Sequence, residues 1–228
     1  MDFFYLTIEP NFFTMNLTAC PNCGATIKSG AFSKVELLHS MVTEMVNHFS
    51  DKDKEAYCTK CPSDLFRAVE EQFNVSKLKL KEEIDSLIKY VPIVTIYDPT
   101  KWDYTVVEMV TAQYVVGTGV VSEIGSGITD LFGMRSDIYA TKLKNGEEFC
   151  KNILRYNTLL LGCNAIIGTD VNYSEAGGLK GMLMVCMSGT AVKLNNPEIT
   201  TYANEINKVV ELIKELENIR RFDAVRFN

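Results

Sequence analysis

The sequence predicts an α+β protein: a small cysteine-bearing module, then a larger domain of strands and helices, then a closing helix. Three observations point there. Apolar residues recur at helical spacing through residues 32–49 and 64–90. β-Branched runs appear at 93–97, 106–121, 165–173 and 182–194, with one long helical pattern between the second and third. Two Cys-x-x-Cys pairs, Cys20/Cys23 and Cys58/Cys61, bracket the first helical pattern and lie ahead of the β-branched runs.

Residues 3–8 read as a short strand and residues 20–24 as a tight turn. Val35, Leu38, Met41, Met45 and Phe49 then mark one face of a helix over 32–49. Ser33 with Glu36 three residues on fits a capping box for it. A charged connector at 51–55 leads to the second cysteine turn, and Ser63 caps the next helix. That helix shows two stripes, Leu65/Phe66/Val69/Phe73 and Leu80/Ile84/Leu87/Ile88, with a break expected near 74–76 and an end at Pro92. Asp98-Pro99 marks a turn and a domain boundary. Beyond it come a strand from 106, a glycine-rich loop at 125–127 and a helix over 137–161, in which Gly146 is a weak point and Gly162 the stop. Strands at 165–173 and 182–194 flank a hairpin loop at 175–181. The last helix, 198–221, places Ile206, Val209, Ile213, Leu216 and Ile219 at near-heptad spacing, too short for a coiled coil and suited to docking. The expected division is a zinc-ribbon-like module at 1–75, a helical linker at 76–98, an α+β domain at 99–195 and a C-terminal helix at 196–228.

Composition narrows the function classes. The chain of 228 residues is 46% hydrophobic and 23% charged, enough to bury a core without disulfides. A net charge of −6 argues against a general nucleic-acid binder. No apolar run reaches the ~18–20 residues of a membrane helix. Asp2, Glu9 and Pro10 interrupt the apolar start, and no basic stretch makes it a signal peptide. The expectation is a cytoplasmic protein with reduced cysteines and no membrane partner.

The cysteine pairs carry the strongest chemical signal. Each Cys-x-x-Cys turn aims two thiolates at one point, and two such turns supply the four soft ligands of a tetrahedral zinc site. Residues 24–57, 34 in number, separate Cys23 from Cys58, a span long enough to hold an inserted helix. Four cysteines leave no open position, so the expected zinc is structural. Buried thiols that never meet are the plain alternative. A redox pair lacks the βαβ setting it needs. Between Cys20 and Cys61 stand five lysines, no arginine and five carboxylates, a balance with no electrostatic preference for nucleic acid. His39 and His48 read as solvated helix positions.

No catalytic set is visible in the second half. No histidine follows residue 48, which rules out a Ser–His or Cys–His pair there. Gly117-Thr118-Gly119 lacks the third glycine of a dinucleotide fingerprint. Gly125, Ser126 and Gly127, with Arg135 nearby, form a candidate anion-binding loop, although a tight structural turn explains them as well. Cys150, Cys163 and Cys186 read as core thiols.

Several ordered blocks carry a family resemblance. They are Val116 to Gly119; Gly127 to Ser136 with Tyr139; Leu161 to Tyr173; Met182 to Val185; and Ser188 to Val192. In this series the region from about 106 to 194 resembles the YbjQ family, small bacterial proteins commonly labelled as heavy-metal-binding. The resemblance implies a mainly antiparallel sheet backed by one long helix, and homo-oligomeric rings, pentamers in particular. It implies no settled activity. Family members usually carry acidic residues after the tyrosine matched by Tyr139, where this chain has Ala140 and Thr141. They tend to carry further carboxylates where Asn172 and Ser174 stand.

The leading expectation is therefore a non-catalytic oligomeric binding or scaffold protein. Its partners would be copies of itself and, through the zinc module, other proteins. A metal-dependent enzyme using Asp130, Asp137 or Asp170 is the second reading, and a nucleic-acid-binding zinc ribbon the third.

Overall fold

The structure is a computed structural model that describes residues 17–28, 34–117, 134–176 and 182–227. The described chain is α+β, with four α-helices and a three-stranded antiparallel sheet. It divides into two compact units, residues 1–76 with 219–228 and residues 77–218. The predicted strand at 3–8, Ser33, the loop at 125–127 and residues 177–181 of the hairpin loop lie outside the described residues, while Glu175 and Ala176, expected in that loop, are strand.

In the first unit, isolated bridges pair Ala19 with Thr26, Lys28 with Val35 and Leu37 with Cys58. Helix α1 (Ser40–Phe49) follows. It starts eight residues later than its periodicity predicted. Val35 and Leu38, counted as helical from their spacing, are held otherwise: Val35 bridges Lys28 and Leu38 N–H donates to Tyr57 O, and an extended segment cannot also make helical bonds. The cap is His39, whose Nδ1 accepts from Met41 N–H at 3.1 Å. Val42, Met45 and Val46 are buried on α1.

Helix α2 (Ser63–Leu87) runs unbroken through 74–76, against the predicted break. Asn and Ser are only weakly unfavourable inside a helix, and no Gly or Pro falls in the segment. The buried positions Val69, Phe73, Leu80, Ile84 and Ile88 keep helical phase, so the two stripes are one. Residues 63–76 of α2 belong to the first unit and 77–87 to the second.

The core of the first unit draws on the far end of the chain. Phe222, 1% exposed, sits in a 3-10 turn over Arg221–Ala224. Its ring lies 6.0 Å from Phe49, which lies 5.6 Å from Phe73, both edge-on. Phe227 stacks on Phe66 at 5.1 Å, and Arg221 pairs with Glu44 at 3.0 Å.

The second unit holds the sheet, in the order β1-β3-β2. Strand β1 (Tyr104–Gly117) pairs with β3 (Met182–Leu194), which pairs with β2 (Ala165–Ala176). Residues 92–96 run parallel beside β2, with Val94 N–H donating to Ile166 O and Ile166 N–H to Pro92 O, each at 2.9 Å. Helix α3 (Met134–Leu160) covers one face of the sheet. Cys150 and Leu154 pack there with Val110, Ala112, Ile166, Val185, Met187 and Ala191. Gly146, expected to weaken this helix, lets α3 lie close against the sheet: a Cβ there would lie 2.8 Å from the Tyr114 ring and 2.9 Å from Val185. Helix α3 ends as the sequence predicted. Gly162 takes φ +72, Cys163 N–H donates to Thr158 O, and Gly162 N–H to Leu159 O, both at 3.0 Å, a Schellman closure.

The buried Asn164 side chain clamps the end of β3. Its Oδ1 accepts from Leu194 N–H at 2.7 Å and its Nδ2 donates to Leu194 O at 3.5 Å. Helix α4 (Ala203–Arg220) begins later than expected, after a separate 3-10 turn over Pro197–Ile199. The near-heptad set Ile206, Val209, Ile213, Leu216 and Ile219 is buried, and Lys208 pairs with Glu83 of α2.

Candidate metal centre

Two backbone turns bring four cysteines together. In the first, Gly24 takes φ +73, a conformation that favours glycine, and its N–H donates to Cys20 O at 2.9 Å. Cys20 N–H donates to Ala25 O at 2.9 Å and closes the turn. In the second, Cys61 N–H donates to Cys58 O at 3.0 Å. That turn is fixed to the strand leading into α1: Leu38 N–H donates to Tyr57 O at 2.8 Å, and Thr59 N–H to Glu36 O at 3.0 Å. Asn47 of α1 holds the connector between them, accepting from the fully buried Tyr57 hydroxyl at 2.8 Å and donating to Lys54 O at 2.9 Å. The inserted helix thus anchors the second turn.

The ligand atoms of Cys20, Cys23, Cys58 and Cys61 all lie within 4.8 Å of one another. Cys23 Sγ is 3.5 Å from Cys58 Sγ, and Cys20 Sγ is 3.7 Å from Cys61 Sγ. These are free thiols, far beyond a disulfide bond of about 2.05 Å. Tetrahedral coordination at about 2.3 Å per sulfur spaces the sulfurs roughly 3.8 Å apart, close to the Cys23–Cys58 and Cys20–Cys61 separations. The site can hold a metal ion, and among the described residues it is the single such group of His, Cys, Asp and Glu.

Hydrogen bonds to sulfur tune it. Cys58 Sγ accepts from Lys60 N–H at 3.4 Å, and Cys61 Sγ from Cys58 N–H at 3.4 Å and Asn22 Nδ2 at 3.2 Å. Lys52 Nζ in turn donates to Asn22 Oδ1 at 3.2 Å. Burial pushes the Cys58 thiol up to about 12, helped by the neighbouring thiols, and also raises Cys61. Burial acts in the same direction on Cys20, but the backbone N–H groups of Cys23 and Asn22 and the two neighbouring thiols outweigh it and draw Cys20 down to about 7. Sequence reading missed Asn22 and Lys52. The only trace was the Asn between the cysteines of the first turn, and Lys52 is thirty residues from it.

The other candidates do not join this group. His39 and His48 are exposed, His39 as a cap and His48 against the rings of Phe49 and Phe222. Gly125, Ser126, Gly127 and Asp130 lie outside the described residues, and Arg135 and Asp137 lie in the first turns of α3. Asp170 is exposed on β2 and accepts from Asn172 Nδ2. Cys150 and Cys163 are buried in the sheet–helix core, where burial raises both thiols, and Cys186 is half-buried on β3. Among the described residues no helix is long and apolar enough to cross a membrane.

The sheet order, the long helix on one face and the run of residues that builds them meet a known pattern. Residues 93–195 match the YbjQ family model. Its description is "Putative heavy-metal-binding". The YbjQ-like region coincides with the sheet and α3, and the four cysteines lie ahead of it. A crystal structure at 2.73 Å of a protein of unknown function from Pediococcus pentosaceus ATCC 25745, assigned to the DUF74 family, is similar to this chain. The match is 22% identical, covers 45% of this chain and 96% of that one, and has a TM-score of 0.31.

Proposed function

We propose that this chain is a non-catalytic binding or scaffold protein that assembles with copies of itself and carries a structural zinc ion on Cys20, Cys23, Cys58 and Cys61. The observation that carries the metal reading is the convergence of four thiols from two turns separated in sequence. Four sulfur donors suit zinc and fill its tetrahedron, so the ion serves as a cross-link and leaves no position for a substrate. The family description points toward metal as well, although the matched region does not include the cysteines. A reducing cytoplasm is the compartment in which such thiols stay available.

Support for assembly comes from the sheet. Strand β1 is at its edge, and Val106, Val107, Met109 and Val115 on it are exposed. An edge strand of this length with open backbone groups and apolar side chains invites pairing. A ring of YbjQ-like domains, five in our reading, would cover that edge, and the zinc module would remain as a surface for other proteins.

Metal analysis and light scattering test the two halves separately. The expected result is one zinc per chain, lost in Cys61→Ser, together with a mass that is a multiple of the chain. Purified protein without zinc refutes the centre. A strict monomer at every concentration refutes the ring.

A further inference from the structure

The four cysteines are not equivalent, and the difference points to a chemically addressable position. Cys20, Cys58 and Cys61 are buried, while Cys23 is exposed. The sulfurs of Cys58 and Cys61 accept N–H groups, and Cys20 is shielded by its burial. Among the described residues no N–H donates to Cys23 Sγ; its recorded neighbour is Cys58 Sγ, 3.5 Å away. An N–H bond draws electron density from a thiolate, and burial blocks approach. Cys23 has neither protection.

We propose that Cys23 is the site at which peroxides and soft electrophiles attack this centre, and that its oxidation joins it to Cys58 and releases the metal. The inference rests on the zinc reading above. In the first step the Cys23 thiolate gives an electron pair to one oxygen of hydrogen peroxide. The O–O bond breaks, a sulfenic acid forms and hydroxide leaves. In the second, the Cys58 thiolate attacks that sulfur. The S–S bond forms, the S–O bond breaks and a second hydroxide leaves. Two thiolates lose two electrons in all, and the peroxide gains them. The ion keeps its charge and loses two of its four ligands, one from each turn, so neither turn alone still offers a pair. The sulfur pair must close from 3.5 Å to about 2.05 Å, a movement within reach of the exposed first turn. A thiol reductant reverses the bond, and zinc can then return.

The test uses the zinc-loaded full chain carrying Cys186→Ser, which removes the half-buried thiol on β3. Zinc is measured first, then peroxide is added in stepwise equivalents while a chromogenic chelator reports free zinc and peptide mass mapping locates the bonds. A parallel sample receives N-ethylmaleimide for graded times. The expected result is zinc loss that tracks a Cys23–Cys58 disulfide, reversal by dithiothreitol, and alkylation of Cys23 ahead of Cys20, Cys58 and Cys61. Zinc retained under excess peroxide, a disulfide within either Cys-x-x-Cys turn, or equal alkylation of all four cysteines overturns the proposal alone. A chain with no zinc before treatment overturns the metal reading and this one with it.

Discussion

Asn22 shows how much a single side chain can add to a site whose ligands are all cysteines. Its amide donates to Cys61 Sγ while its carbonyl accepts from Lys52, so it relays part of a positive charge toward the sulfurs. A four-thiolate zinc site carries net negative charge, and such outer partners typically change metal affinity by about 10–100-fold. Asn22→Ala should therefore weaken zinc binding by roughly tenfold in a chelator competition, with the fold retained in saturating zinc. Gly162 makes a different case. It occupies open space at φ +72, so Gly162→Ala meets no clash and pays only for the backbone. Urea unfolding should show a loss of about 1–2 kcal/mol. The glycine stop was readable from its place after an apolar helix. The role of Gly146 was not, because a close approach to Tyr114 is a fact about another element.

At the scale of elements, backbone partners decided what periodicity could not. Val35 and Leu38 fit the spacing of α1, yet the bridge of Val35 to Lys28 and the bond from Leu38 N–H to Tyr57 O keep them out of the helix. Conversely, Asn74 and Ser76 looked like a break, and the uninterrupted phase of Val69, Phe73, Leu80 and Ile84 carries α2 through them. Backbone chemical shifts should accordingly stay helical across residues 74–76; extended or random-coil values there would contradict the single helix. The strand limits of β3 were legible from the sequence because Met182 follows a glycine-rich loop and Asn195-Asn196-Pro197 follows Leu194. The clamp by Asn164 was not legible, since a buried amide has no periodic signature. Asn164→Ala leaves Leu194 N–H without that partner and should cost about 1–3 kcal/mol, read as an earlier urea midpoint.

For the molecule as a whole, the cysteine pairs and the YbjQ-like blocks were each visible in sequence because both are local patterns. The composition of the first unit was not, since Phe222 and Phe227 follow α4 and share no pattern with residues 40–76. If zinc holds the two cysteine turns, its removal takes away ~10 kcal/mol or more of folding free energy from that unit. Hydrogen exchange after treatment with a strong chelator should then lose protection in residues 34–61 while β1, β2 and β3 keep theirs; unchanged exchange at Tyr57 and Cys58 would contradict this. Phe222→Ala should act on the same unit, at a cost of about 3–5 kcal/mol typical of a buried aromatic. The aromatic seal has a further meaning for biosynthesis. On the ribosome the four cysteines emerge and can take up metal long before Phe222 is made. During that interval the thiols stand in a unit whose core is still open, and they depend on the reducing capacity of their surroundings. A truncation that removes Phe222 would leave that core open for good, and its damage would appear far from the cut, as oxidised cysteines.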